Sequence, residues 1–165
     1  MGNMFDFKIH GVADVLRALD NFERVVMQEL TLGMQKACMI VETSAKHNVT
    51  NNGTTNLGQL VNSIWWEVGL LTGGIIGGWV LVGAKYGGYV EFGTRPHMPP
   101  VEPLKQWAKR KLGDEKLGYP VALKIKKEGT KPQPYLYPAM EQNRDKLVAL
   151  LGEAVIIAVN RCRVA

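Results

Sequence analysis

Apolar and polar positions alternate along residues 4–10, where Phe5, Phe7 and Ile9 are interleaved with Asp6, Lys8 and His10. That period of two predicts a short strand, ended by Gly11. The period then changes. Val12, Leu16, Leu19, Val26, Leu30, Ala37, Val41 and Ala45 recur at threes and fours, which predicts a helix over residues 12–48. Early aspartates suit the positive end of its dipole, and Lys46 and His47 the negative end. At ~1.5 Å per residue it spans on the order of 55 Å, more than a domain of 165 residues needs for its own core. Either Gly33 kinks it, or part of it packs against a neighbouring subunit.

Residues 49–58 are rich in Asn, Thr and Gly and predict a loop. One or two helical turns within residues 57–64 then lead into two strands, 64–71 and 75–82, rich in Trp, Val, Ile and Leu. Thr72-Gly73-Gly74 supplies the hairpin turn between them, and Gly77-Gly78 predicts a bulge or strong curvature in the second strand. Trp65 and Trp66 must point to opposite faces, so one ring faces away from the core; Trp66 is taken as that interface anchor. The remaining tryptophans are assigned to sheet and helix packing.

A short helix over 85–92 is expected to close on Gly93 as a left-handed cap. Pro96-His97-Met98-Pro99-Pro100 must be extended. Helix resumes near Val101, with Pro103 in its first turn, Leu104, Trp107, Ala108 and Leu112 on one face, and Gly113 at its end. Another covers about 119–127 and closes at Gly129, before an extended, proline-rich crossing over 131–137. Pro138 opens the last helix, which runs to about Arg161 with Met140, Leu147, Leu150, Leu151, Ala154, Ile157 and Ala158 inward. The sum is a single α+β domain, 1–165. A small antiparallel sheet with a glycine-bearing hairpin is packed by long N- and C-terminal helices, and a basic helical insertion occupies 95–131.

Charge sharpens this picture. The net charge is +5, yet residues 95–131 carry ten Lys/Arg against four Asp/Glu, a local +6. Lys105, Lys109, Arg110, Lys111, Lys124, Lys126 and Lys127 are the candidate contacts to DNA or to an acidic partner. Cys38 and Cys162 lack metal-ligand spacing and are expected to be reduced, buried thiols. The N-terminus has neither the basic start nor the apolar run of a signal peptide. The longest uncharged stretch is broken by Gly69, Gly73, Gly74, Gly77 and Gly78, so a soluble protein with no membrane contact is expected.

Candidate chemistry is sparse. His10, His47 and His97 stand apart from one another and from any Cys or carboxylate pair, and the glycine-rich stretch at 73–78 lacks the Lys-Ser/Thr of a phosphate loop. The residues therefore predict no enzyme, no cofactor and no metal site. Glu91 stands out, four residues before Arg95 on a short apolar turn. It is expected to hold the following loop through Arg95 or through backbone N–H groups.

Specific motifs add a resemblance. Asn56-Leu57, Leu60 and Ser63-Ile64 resemble a "T-G-x-L-x-x-S-I" element, although the usual Thr-Gly is displaced here. Tyr86 to Thr94 is similar to a "Y-A-x-x-V-E-F-G-T" signature, with Gly87-Gly88 replacing a small or polar pair. Arg95-Pro96-His97-Met98-Pro99-Pro100, Leu104-Lys105-Gln106-Trp107, Gly129 to Leu136 and Pro138-Ala139-Met140 extend the likeness over about residues 12–160. The family is that of tail-completion or neck proteins of tailed bacteriophages, which join tail to head.

The resemblance implies a structural virion component at the head–tail junction, made in the bacterial host cytoplasm and assembled as a ring, with a hexamer favoured. Its partners would be copies of itself, head-completion or stopper proteins, tail-tube or terminator proteins, and genomic DNA in the lumen. Tyr86, Tyr89, Glu91, Phe92, Gly93, Thr94, Arg95, Trp66 and Trp107 are the interface candidates on this reading. The alternatives are a tail terminator proper, a DNA-binding module built on 95–131, and a small antitoxin-like or regulatory protein.

Overall fold

The structure, a computed structural model, describes residues 12–53 and 58–164. The strand expected at 4–10 lies outside the described residues. Helix α1 (Val12–Asn51) is followed by α2 (Gln59–Asn62), strands β1 (Ile64–Leu71) and β2 (Ile75–Val82), and α3 (Gly87–Phe92). Then come α4 (Val101–Leu112), a 3-10 turn (Glu115–Leu117), α5 (Gly118–Glu128) and α6 (Leu136–Val164). The chain is α+β: one antiparallel hairpin with long helices from its two ends.

Helix α1 is a single helix of 40 residues, about 60 Å long at 1.5 Å per residue. It passes three residues beyond the end expected from charge, because Val49 is fully buried and extends the apolar stripe. Lys46 and His47 therefore sit a turn before the helix end. Gly33 does not divide the helix. A Cβ on it would lie 2.8 Å from the Cβ of Ala154, so the glycine is where α6 comes closest to α1.

The two long helices run antiparallel. Asn48 Nδ2 donates to the Tyr135 carbonyl (3.0 Å), Asn143 Nδ2 to Ser44 Oγ (2.9 Å), and exposed Arg161 pairs with buried Glu29. Arg161 lies three residues before the end of α6, so about the first three turns of α1 run past that end. Leu16, Leu19 and Phe22 on this overhang are exposed.

The hairpin pairs without interruption from Ile64↔Val82 to Leu71↔Ile75, so Gly77-Gly78 makes no bulge. Each glycine clears room instead. A Cβ on Gly78 would sit 2.8 Å from Met34 Sδ and against Cys38, so the inner sheet face seats directly on α1. A Cβ on Gly77 would meet the Trp79 ring at 2.6 Å, so that ring lies over the outer face.

Val41, Ala45, Val49, Leu60, Ile64, Tyr135 and Ala139 form the buried core, all at the C-terminal end of α1. Toward the other end the helix pair is closed by small residues, Gly33, Ala37, Ala154 and Ala158. Large apolar side chains there stay outside. Ile157 and Met140, expected inward, are exposed, as are Val148, Val155, Ile156 and Val159. Between Leu147 and Val159 helix α6 is apolar on nearly every side, so its sequence marks the inward face only weakly there.

Two α6-related glycine substitutions should differ in sign. Gly33→Leu should destabilise the fold by about 1–3 kcal/mol, because α6 must move off α1. Gly152→Ala, where a Cβ meets nothing within 4 Å, should stabilise by about 0.5–1 kcal/mol through helix propensity. Urea unfolding midpoints at constant m check both.

Candidate assembly surface

Helix α3 has only six residues and no side-chain cap of its own, yet it positions the most heavily bonded side chain in the region. Glu91 is 6% exposed, and its carboxylate accepts three backbone N–H bonds from the start of α6. Tyr135 N and Leu136 N donate to Oε2 at 2.8 and 2.9 Å, and Tyr137 N to Oε1 at 2.9 Å. Those are donors a helix start otherwise leaves unpaired, and the negative charge faces the positive end of the dipole. Of the two roles expected for Glu91, backbone capture is the one formed. Its partners lie 44–46 residues away rather than in the next loop, and Arg95 stays exposed.

Tyr135 fills the space behind the carboxylate at 2% exposure. Burial first, then the charges of Glu91 and Tyr86, push its phenol up to about 12. A Cβ on Gly87 would come within 2.9 Å of that hydroxyl, so the first residue of α3 must be small. Asn48 of α1 and Asn52, the residue just past its end, bond the carbonyls of Tyr135 and Pro134. Gln133 N donates to Val90 O at 2.8 Å. The crossing at 133–137 is thus held from both α1 and α3.

Gly93 and Gly129 end α3 and α5 in the same way. Their φ,ψ pairs are 71°, −175° and 76°, −161°, a region open essentially to glycine alone and distinct from the left-handed cap expected at Gly93. A side chain on either would strike the other strand's carbonyl, that of Thr130 or Thr94. Thr94 and Thr130 then exchange two backbone bonds (3.1 and 3.2 Å), and their hydroxyls meet at 3.0 Å. This neck closes the insertion. His97 N reaches the Ile125 carbonyl, and its ring Nδ1 lies 2.9 Å from the Arg95 carbonyl oxygen.

Around the buried clasp the surface is apolar and open. Phe92 is 78% exposed, Tyr137 68% and Tyr89 65%, with Tyr86 and Met140 also outside. Phe92, Tyr137 and Met140 join Val82 and Leu136 in lining a groove of about 470 Å³. Tyr89, Thr94, Arg95 and His97 border a second cleft of about 520 Å³. Of the sequence candidates, Tyr86, Tyr89, Glu91, Phe92, Gly93, Thr94 and Arg95 fall together here.

Trp66 and Trp107 do not. Trp66 shares the α1-facing side of the sheet with Gly78 and is half-buried; the outward ring is Trp65, which donates from Nε1 to Glu67 (3.0 Å). Trp79 is exposed as well, although its ring lies over Gly69 and Gly77 on the outer sheet face. Trp107 is half-buried in the insertion, whereas Leu112, assigned to the same face, is exposed. Sequence reasoning also missed Tyr135, whose only local signal was its place between Pro134 and Pro138.

Cys38 is buried, which pushes its thiol up, and Cys162 is half-buried; both are free. Among the described residues no three His, Cys, Asp or Glu side chains gather as metal ligands, and no helix is long and apolar enough to cross a membrane. Comparison with protein-family models, curated protein sequences and solved structures found no match to this chain.

Glu91→Ala should destabilise the protein by about 3 kcal/mol, since three buried donors lose their acceptor at once. Glu91→Gln, which keeps one acceptor oxygen, should lose about half as much, both read from denaturant unfolding. For Tyr135 the native phenol titrates above its unfolded value near 10, so the folded state holds the proton more tightly. Stability should be insensitive to that group below pH 10 and fall as pH rises from 10 toward 12. Tyr135→Phe should remove this alkaline component, measured as unfolding free energy at stepwise pH.

Proposed function

We propose that this chain is a structural, ring-forming component of the head–tail junction of a tailed bacteriophage, joining the completed tail to the head. One observation carries the reading: large apolar side chains are exposed in several separate groups, more than a chain that works alone leaves uncovered. They include the α1 overhang (Leu16, Leu19, Phe22), the outer sheet face (Trp65, Trp79, Ile75) and the exposed flank of α6. They also include the aromatic rim around the Glu91 clasp.

These patches differ from one another in their residues and in the elements that carry them. Surfaces of that kind suit heterologous contacts, in which one patch of a subunit meets a different patch of the next and rotation closes the ring. The resemblance of residues 86–94 and 129–140 to tail-completion proteins supports the same reading, and with it a hexamer. In this role Glu91 is a positioning residue. It fixes where Phe92 and Tyr137 stand by tying α3 to α6.

Absolute mass by light scattering across concentration and salt tests the proposal. A discrete multiple of the 18.3 kDa chain that persists in high salt is expected, with contacts of apolar character. Phe92→Asp and Val155→Asp, both at exposed positions, should lower that mass while leaving the far-ultraviolet circular dichroism unchanged. A monomer under all conditions, and also when mixed with tail-tube and head-completion proteins, would overturn it.

A further inference from the structure

The insertion that begins after the Thr94–Thr130 neck is built as a separate body. Its helices pack on each other through residues with little or no side chain. Ala108 and Ala122 are fully buried, and a Cβ on Gly118 would lie 2.6 Å from the Lys105 backbone. The 3-10 turn that joins them is capped by Asp114, whose Oδ1 accepts from Lys116 N at 2.9 Å. Helices α4 and α5 make no extensive contact with α1, the hairpin or α6. Among the described residues, the hydrogen bonds that tie the insertion back to the rest of the fold are those of the Thr94–Thr130 neck.

A helix pair closed by alanine and glycine leaves its long side chains outside. Lys105 and Lys109 are offset by carboxylates of the insertion itself, Glu102 at 3.4 Å and Glu115 at 3.8 Å. Lys111, Lys124, Lys126 and Lys127 are exposed and make no ion pair among the described residues. On α5, Tyr119, Leu123 and Lys127 recur at i, i+4 and i+8 on a flank beside the Gly118–Ala122 stripe, with Lys126 next to them, and all four are exposed. An exposed aromatic and an aliphatic side chain there stand among lysines.

We infer that this module is a sequence-independent binding surface for duplex DNA, which contacts the phosphate backbone through α4 and α5. Charge complementarity is the first argument. A local charge of +5 between Thr94 and Thr130, nine Lys/Arg against four Asp/Glu, attracts a polyanion without any shaped pocket. The second is the kind of cation. Eight of the ten basic residues in 95–131 are lysines and two are arginines. Lysine is depleted in protein–protein interfaces relative to the rest of the surface. Phosphates along a duplex, about one per 1.7 Å of axis, need only mobile point charges within reach. The inference does not depend on ring formation, since a monomer would carry the same surface.

Fluorescence anisotropy with a labelled duplex of arbitrary sequence, titrated with the full chain between 50 and 200 mM salt, tests it. If four lysines each neutralise one phosphate, the log–log salt slope is about −3.6, a loss of roughly a hundredfold across that range. The variant K124E/K126E/K127E should bind at least tenfold more weakly. K36E/K85E/K146E, which changes the total charge equally but outside the module, should bind within about twofold of the parent. The neutral K124Q/K126Q/K127Q should move the same way as the first variant by a smaller factor, which separates lost contact from misfolding. No binding at 50 mM salt, or equal losses from the two charge reversals, would overturn the inference. So would displacement by polyglutamate as effective as unlabelled duplex, because the partner class would then be an acidic protein.

Discussion

One carboxylate sets the geometry of the folded end of this molecule. Glu91 lies on a helix too short to stand by itself and accepts the first three N–H groups offered by the start of the longest C-terminal element. Charge-assisted bonds of this kind are among the stronger polar contacts a protein makes. Here they join segments that no local interaction would bring together. With the carboxylate in place, Tyr135 is driven into the core and the crossing before it is drawn onto α1 by Asn48 and Asn52. The direction of α6 follows from that anchor, and the exposed rings of Phe92 and Tyr137 are set on either side of it.

Stability is distributed unevenly as a result. Tyr135, Ile64 and Val49, the largest fully buried side chains, all lie near the anchored end. Further along, α1 and α6 meet through glycine and alanine, which permit close approach but bury little apolar area per residue. Leucines, valines and isoleucines that would ordinarily fill a core are turned outward over that stretch. The molecule is thus a well-packed head carrying a thin two-helix stem, and the stem has the composition of something buried.

Much of this was legible in the chain. Both strands fall on their expected residues, because dense β-branched and aromatic residues flank an unmistakable glycine turn. The helical periods gave α1, α4 and α5 to within a few residues. What stayed hidden depended on distant partners. Gly33 is needed for Ala154, and Gly78 for Met34 and Cys38, contacts that no window of sequence contains. The choice between Trp65 and Trp66 needed the identity of the sheet's covering layer. Glu91 stood out as unusual, but the backbone donors it accepts from lie 44–46 residues on. For α6, apolar residues on nearly every side between Leu147 and Val159 blurred the inward face, and Ile157 was assigned to the wrong one, as was Met140 nearer the helix start.

The neck has a consequence for how such a chain can change over time. Thr94 and Thr130 already face each other as directly paired strand residues, with glycines immediately before both. Everything between them enters and leaves through one hydrogen-bonded doorway. A two-residue turn would bridge the same gap. Length and sequence beyond that doorway are therefore free to drift, be lost or be exchanged for another module, while the head and stem keep their register.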